Sequence, residues 1–176
     1  MRDMTTTGSP SATVYLMVSG AVSAYRAPEF VEALEKRFER IITVPTPNAM
    51  RVISPRDLVR VPKNNVVESY FDERILPRPL RGPVLFAPCS FNSLNKLAHG
   101  VADNLALSIT HEMIGFGEHV TVALSLNAPL FAHPIVRQSI TTLAAWGVTV
   151  VEPKEDGQGL MLAATADIVS AMTARL

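Results

Sequence analysis

A chain of 176 residues, 48% hydrophobic and 18% charged, can bury one well-formed core without disulfides or metal ions to staple it. Its single cysteine, Cys89, excludes an internal disulfide and a thiolate-rich metal site, which is the cysteine usage expected of a cytoplasmic protein. Sixteen basic residues against 16 acidic ones leave a formal charge of zero, without the broad positive field that a nucleic-acid partner exploits.

Residues 1–12 are small and polar and lack the basic-then-apolar order of a signal peptide, so they read as a disordered tail before a single domain over 13–176. No run approaches the ~18 apolar residues needed to span a bilayer, and no membrane partner is expected. Thr13 to Val18 reads as a buried first strand. A helix follows from Pro28, with Phe30, Val31, Leu34 and Phe38 at helical spacing. Arg40 to Val44 is a second strand, and Pro45 to Asn48 a loop leading to short helical pieces at Ala49 to Ile53 and Pro55 to Leu58.

Pro62 to Gly82 carries three prolines and mixed charges and is assigned as loop, with Val66 and Val67 able to form a short strand. Beyond it come a strand at Pro83 to Ala87, a helix at Leu94 to His99, a longer helix capped by Asp103 and running to Ile114, and a strand at His119 to Leu124. An amphipathic helix from Pro134 to Trp146 closes at Gly147, Val148 to Val151 makes the last strand, and Thr165 to Leu176 the last helix. The alternation predicts an α/β chain, a Rossmann-like (flavodoxin-like) three-layer sandwich around a parallel sheet.

In such sheets a ligand sits outside the carboxyl ends of the strands, where strand order reverses. The loops at those ends are Ser19 to Ser23, Thr46 to Ala49, Pro88 to Ser93 and Ser125 to Asn127. They offer hydroxyls, small side chains and backbone N–H groups at helix starts, the chemistry that receives a phosphate. One such turn is ordinary in any α/β fold; four together are selective.

Val18-Ser19-Gly20-Ala21-Val22-Ser23-Ala24-Tyr25-Arg26 follows the first strand, and Ala87-Pro88-Cys89-Ser90-Phe91-Asn92-Ser93 follows the strand at Pro83 to Ala87. Leu97-Ala98-His99-Gly100-Val101-Ala102-Asp103-Asn104-Leu105 comes next, then Leu124-Ser125-Leu126-Asn127-Ala128-Pro129-Leu130-Phe131. In that order and spacing these segments resemble the homo-oligomeric flavin-containing cysteine decarboxylases. The family patterns are T-G-[SG]-I-A-x-Y-K, A-P-A-[ST]-A-N-T, I-A-x-G-I-A-D-N-L and P-A-M-N-x-x-M-W. The members act on phosphopantothenoylcysteine, or on the C-terminal cysteine of peptides in natural-product pathways.

The resemblance implies FMN, with its phosphate near Gly20, Ser23 and Ser90 and its ring lined by Thr46, Ala49 and Asn92. Ala21, Val22, Pro88, Ser93 and Asp103 complete the cofactor-binding set. Asn127 matches the asparagine that orients the substrate carboxylate, and Leu126, Leu130 and Phe131 form the substrate wall with it. The family's flavin oxidises the cysteine to a thioaldehyde, and the carboxylate leaves as carbon dioxide with the C=S group as electron sink. Assembly as a trimer, or as a dodecamer of four trimers, is implied, with each FMN site at a subunit contact.

Three departures qualify the match. The family's catalytic histidine in an H-I-x-L segment is replaced on an ungapped count by Arg74, and no histidine lies between Met1 and Ala98. Arg74 cannot be a base at neutral pH; it can pair with a substrate carboxylate or a developing flavin anion, or be a solvated surface charge, while Glu68, Asp72 and Glu73 are the nearby candidate bases. Leu126, Leu130 and Phe131 replace the Met and Trp positions of the fourth pattern, which reshapes the pocket wall.

The loop Pro153 to Leu160 lacks the lid cysteine of the phosphopantothenoylcysteine enzymes, so the reaction is expected to stop at an enethiol, and a peptide substrate is the leading reading. Phosphopantothenoylcysteine decarboxylation is the alternative, and a non-catalytic flavin-binding or regulatory subunit is the rival of another class. Flavin prenyltransferases, whose flavin-binding turns look similar, are a more distant one. Among the histidines, His133 reads as a cap or turn residue six positions past Asn127, and none has metal-ligand spacing with another.

Overall fold

Four apolar runs build the middle of the sheet in the computed structural model, which describes residues 13–176. The tail expected over residues 1–12 lies outside the described residues. The runs are β1 (Thr13–Val18), β2 (Arg40–Pro45), β4 (Val84–Cys89) and β5 (Val120–Leu124), flanked by β3 (Asn64–Val66) and β6 (Thr149–Val151). The order is β3-β2-β1-β4-β5-β6, parallel throughout, so strand order reverses between β1 and β4. This is the α/β architecture expected, and its reversal places the ligand crevice above β1 and β4.

Each central strand reads as continuously apolar because both of its faces are covered. Val14, Leu16 and Val18 of β1, with Leu85 and Ala87 of β4, enter one core, packed by α1 (Ala27–Glu35), α2 (Pro55–Leu58) and α7 (Thr165–Thr173). Tyr15 and Met17, with Val84 and Phe86, enter the other, under α3 (Phe91–Ala98), α4 (Leu105–Gly115) and α6 (Pro134–Ala145). Alternate side chains therefore divide between two apolar layers, each element contributing through the face its period supplies.

Several sequence expectations are corrected. The stretch assigned as loop contains β3, whose Asn64 lies buried because Thr43 Oγ1 donates to its Oδ1 at 2.6 Å and its own amide bonds the Leu58 carbonyl at 2.5 Å. Val67 follows the strand and is not part of it, although its N–H still bonds the Thr43 carbonyl. The strand at Thr149–Val151 is not the last: β7 (Lys154–Glu155) and β8 (Leu160–Met161) form a small antiparallel hairpin. Asp103 does not cap α4. Asn104 does, its Oδ1 accepting the Leu107 N–H at 3.1 Å, while Asp103 is drawn into an ion pair with Lys96. A 3₁₀ turn at Val22–Arg26 and the one-turn helix α5 (Ala128–Phe131) were not expected.

Candidate active site

The loops after β1, β2, β4 and β5 converge on one cleft of about 770 Å³ at the strand carboxyl ends. That volume falls within the ~300–1,000 Å³ of small-molecule and cofactor sites. Gly20, Ala21, Val22 and Ser23 form one wall, Thr46 to Asn48 a second, Ser90, Asn92 and Ser93 a third, and Ser125, Leu126, Asn127 and Leu130 a fourth. Leu160, Met161 and Leu162, from β8 and the residue after it, complete the rim.

The first turn is fastened to the others. Ser19 donates its N–H and its hydroxyl to the Pro88 carbonyl at 3.1 and 2.8 Å, and Ser19 Oγ accepts the Ser90 N–H at 2.8 Å. Thr46 donates its N–H to the Val18 carbonyl at 2.8 Å, and its Oγ1 accepts the Ala49 N–H at 3.3 Å. Ser125 N–H bonds the Cys89 carbonyl at 2.9 Å, and Ser23 and Ser125 hydroxyls meet at 2.6 Å. Gly20 is required by close approach: a Cβ there would stand 2.6 Å from Asn48 Cβ and 2.7 Å from the Asn48 carbonyl carbon.

Ser90 caps α3, its Oγ accepting the Ser93 N–H at 3.3 Å, which leaves the first-turn N–H groups of Phe91 and Asn92 without intrahelical partners. With the dipole of an eight-residue α-helix behind them, these groups suit an anionic oxygen. The turn after β1 leads into a 3₁₀ segment, so it contributes close backbone approach rather than a long helix dipole. Two cations lie on the walls. Lys96 is neutralised by Asp103. Arg26 spreads its guanidinium over Glu29, the Leu162 and Ala163 carbonyls and Thr165 Oγ1, which ties the base of the hairpin to the first turn.

Asn127 is the N-cap of α5: its Oδ1 accepts the Leu130 N–H at 3.0 Å. The carboxamide oxygen is thereby committed, and the NH₂ end is the donor that remains. Leu126 and Leu130 place apolar surface beside it.

Three residues expected at the site do not line the cleft. Ala49 is fully buried beneath the second loop, Pro88 is buried and contributes through its carbonyl, and Phe131 packs on the core with the Arg137 guanidinium 5.8 Å from its ring centroid. Arg74 is not brought to the cleft either. Its guanidinium is held by Asp72 and by the Val66 carbonyl at 2.8 Å, and the pairing holds the Asp72 carboxyl down at about 2. His133 caps α6, its Nδ1 accepting the Ile135 N–H at 3.2 Å, and is not among the cleft residues. Cys89 is fully buried, and burial pushes its thiol up, so it stays protonated and is shut off from the cleft. Sequence reasoning pointed to the loop Pro153 to Leu160, which ends on the rim, but missed Arg26, Lys96, Met161 and Leu162. Of these only Arg26 carried a local signal, closing the first motif at a position where a charge must be accommodated.

The Flavoprotein family model matches residues 3–176. The chain belongs to the Flavoprotein family. It is 30% identical over 152 residues to the probable phosphopantothenoylcysteine decarboxylase of Streptococcus mutans, covering 80% of this chain and 82% of that protein. It is 26% identical over 149 residues to the coenzyme A biosynthesis bifunctional protein CoaBC of Bacillus subtilis, covering 81% of this chain but 36% of the relative, so the chain spans about a third of that longer protein.

Among solved structures, a PPC decarboxylase variant complexed with pantothenoylaminoethenethiol superposes with a TM-score of 0.77 at 19% identity, covering 96% of this chain and 97% of the other. The FMN-dependent cysteine decarboxylase TvaF from thioviridamide biosynthesis does so with 0.77 at 22%, covering 92% and 96%. At these identities the structures establish a shared fold.

The donor set fits a flavin mononucleotide. The free first-turn N–H groups of α3 are donors suited to one phosphate, and the cleft continues from them past the Gly20 turn to Thr46, Asn92 and Asn127 with room for a ring system. No group of three or more His, Cys, Asp or Glu that could hold a metal ion occurs among the described residues, and no helix among them is long and apolar enough to cross a membrane.

Proposed function

We propose that this chain is an FMN-dependent decarboxylase acting on the free carboxylate of a cysteine whose amino group is acylated. The observation that carries the reading is Asn127: a cap bond fixes its carboxamide with the NH₂ end free, on the wall of a cleft whose other walls suit a phosphate. Bound there, FMN would supply the two-electron acceptor that no protein side chain can provide. The Gly20 to Ser23 turn and the Ser90 to Ser93 helix start hold its phosphate, and Asp103 keeps Lys96 at the cleft edge as a neutral pair.

Asn127 donates to the substrate carboxylate and orients it, while Leu126 and Leu130 keep water from its other side. As the carboxylate loses charge in leaving, its desolvation by those leucines works in the direction of reaction. Arg74, held away from the cleft, has no part in this arrangement.

Phosphopantothenoylcysteine is the substrate that the sequence relatives favour, since the Streptococcus mutans protein matches over most of both chains. A C-terminal peptidyl cysteine is the second reading, favoured by one feature: the hairpin Lys154–Met161 brings no thiol to the rim, so nothing there returns hydride to the product. The peptidyl reading predicts an oxidised enethiol as the released product, and the phosphopantothenoylcysteine reading a saturated thiol to which the two hydrogens have been returned.

Incubating FMN-loaded protein with each substrate and weighing the product distinguishes them. Oxidative decarboxylation removes carbon dioxide and two hydrogens, about 46 mass units, and simple decarboxylation about 44. An unchanged mass for both substrates would overturn the proposal.

Assembly into a trimer or dodecamer is part of the same reading. Phe71 is 87% exposed and Tyr70, Leu76 and Leu80 are also open to solvent on one segment, apolar surface that a second copy can cover. Light scattering of the purified protein reads the mass directly, and a monomer at micromolar concentration would contradict it.

A further inference from the structure

We infer that Ser23 and Ser125 act as a pair, forming a second grip on the substrate carboxylate beside Asn127; the inference rests on the proposed decarboxylation of an acylated cysteine. The two hydroxyl oxygens come from two loops that both line the cleft, 102 residues apart in the chain, and stand 2.6 Å from each other. Both residues line the cleft and are partly open to it.

Two hydroxyls carry two hydrogens, and their mutual bond uses one. Among the described residues neither hydroxyl makes another hydrogen bond, so one O–H remains unspent. Ser19 shows the contrast: its hydrogen is committed to the Pro88 carbonyl at 2.8 Å, and its role is to hold two loops together. The pair instead offers a donor to whatever fills the cleft. Accepting one hydrogen bond polarises a hydroxyl and makes it a better donor of the next.

Ser125 and Asn127 stand two apart on the segment that leaves β5, and both line the cleft. Asn127 keeps its NH₂ free because its oxygen is bound to the Leu130 N–H. The segment therefore presents two donors, an O–H and an N–H, and a carboxylate has two acceptor oxygens. The surrounding charge does not oppose this. Asp103, the carboxylate on the cleft wall, is paired with Lys96, and the Arg26 guanidinium lies on the same cleft. Both serines occupy positions where the family patterns T-G-[SG]-I-A-x-Y-K and P-A-M-N carry alanine, so the pair is a feature of this chain and not of the shared motif.

The expected consequence is selectivity for a carboxylate over a carboxamide. The test is calorimetry on FMN-loaded protein with an N-acylated serine, whose hydroxyl replaces the reactive thiol, and with its C-terminal carboxamide. Ser125→Ala is expected to weaken carboxylate binding about tenfold, the scale of one hydrogen bond to a charged group, and to leave carboxamide binding within about twofold. Ser23→Ala, which loosens Ser125 without removing it, should cost about threefold, and the double variant no more than Ser125→Ala alone. Ser125→Thr keeps the hydroxyl and should restore the preference.

FMN affinity, titrated separately, should stay within about twofold of wild type in Ser125→Ala and Ser125→Thr. An unchanged carboxylate-to-carboxamide ratio in Ser125→Ala overturns the grip while leaving the decarboxylase reading intact. A loss of FMN affinity in place of carboxylate affinity also overturns it, assigning the pair to the cofactor. Wild-type protein that binds FMN but neither ligand overturns the grip and the substrate class together.

Discussion

The cleft loops and the segment from Glu68 to Gly82 are both irregular backbone, yet the cleft loops are tied to one another and the segment is tied to the body at its side. The cleft loops are tied to one another across the sheet edge by short bonds between residues far apart in sequence, Ser19 to Pro88, Thr46 to Val18 and Ser23 to Ser125. The Glu68 to Gly82 segment mixes ties within itself, Ser69 to Phe71 and Asp72 to Arg74, with side-chain ties to the body: Tyr15 Oη donates to the Leu80 carbonyl at 2.7 Å, Arg40 to the Arg74 carbonyl, Arg74 to the Val66 carbonyl, and Arg81 to Glu118 and the Phe116 carbonyl. Chemistry requires side chains fixed relative to one another, and the first arrangement supplies that. The second leaves apolar side chains uncovered, which suits an assembly surface.

The largest effect should come from breaking the tightest contact in the cleft. Gly20→Val drives a side chain into the Asn48 backbone and should weaken FMN binding about 100-fold, read by flavin fluorescence titration, the scale of an overpacked site that cannot relax. Next comes Asn127→Asp, which preserves a capping oxygen but exchanges the free NH₂ for an acceptor. The α5 turn should survive, and kcat/KM should fall roughly 30-fold with FMN affinity unchanged.

Arg26→Gln cuts the hairpin base from the first turn. It should raise KM about fivefold and speed hydrogen exchange over residues 154–163, whereas an unmoved exchange rate would mean that the hairpin holds itself.

The other region predicts smaller, differently shaped effects. Burial pushes the Tyr15 phenol from 10.0 to about 12, so its latch to Leu80 contributes fully below pH ~10 and is lost as pH rises through 12. Tyr15→Phe should therefore flatten the alkaline fall in thermal stability while costing about 1 kcal/mol at neutral pH. For Asp72 the sign is reversed: Arg74 holds its carboxyl at about 2, so that tie is present above 3.8 and is lost as pH falls through 2. Arg74→Ala should change FMN affinity and the carboxylate preference by less than about twofold; a larger drop in either would return Arg74 to the site.

The same contrast governs what the sequence revealed. β1, β2, β4 and β5 were legible because buried parallel strands are continuous apolar runs, and the loops at their ends followed from topology. β3 was legible only at Val66, because Asn64 and Asn65 look like loop residues until Thr43 is seen to satisfy Asn64 from the neighbouring strand. The α4 cap was misplaced by one residue because Asp103 and Asn104 both suit that role, and only the position of Lys96 decides between them.

The hairpin strands have two residues each, too short for any period to show. The Ser23–Ser125 contact spans 102 residues, and nothing local to either serine announces it. Arg74 was assigned by counting along a motif. Its placement depends on how the Glu68 to Gly82 segment folds, which local pattern does not encode.

The most direct test of the central claim is the absorption spectrum of the purified protein, followed by identification of the ligand that heat releases. Blue and near-ultraviolet bands with one FMN released per chain are the predicted result. A colourless protein that also fails to take up added FMN would contradict the assignment of these loops and the chemistry built on them.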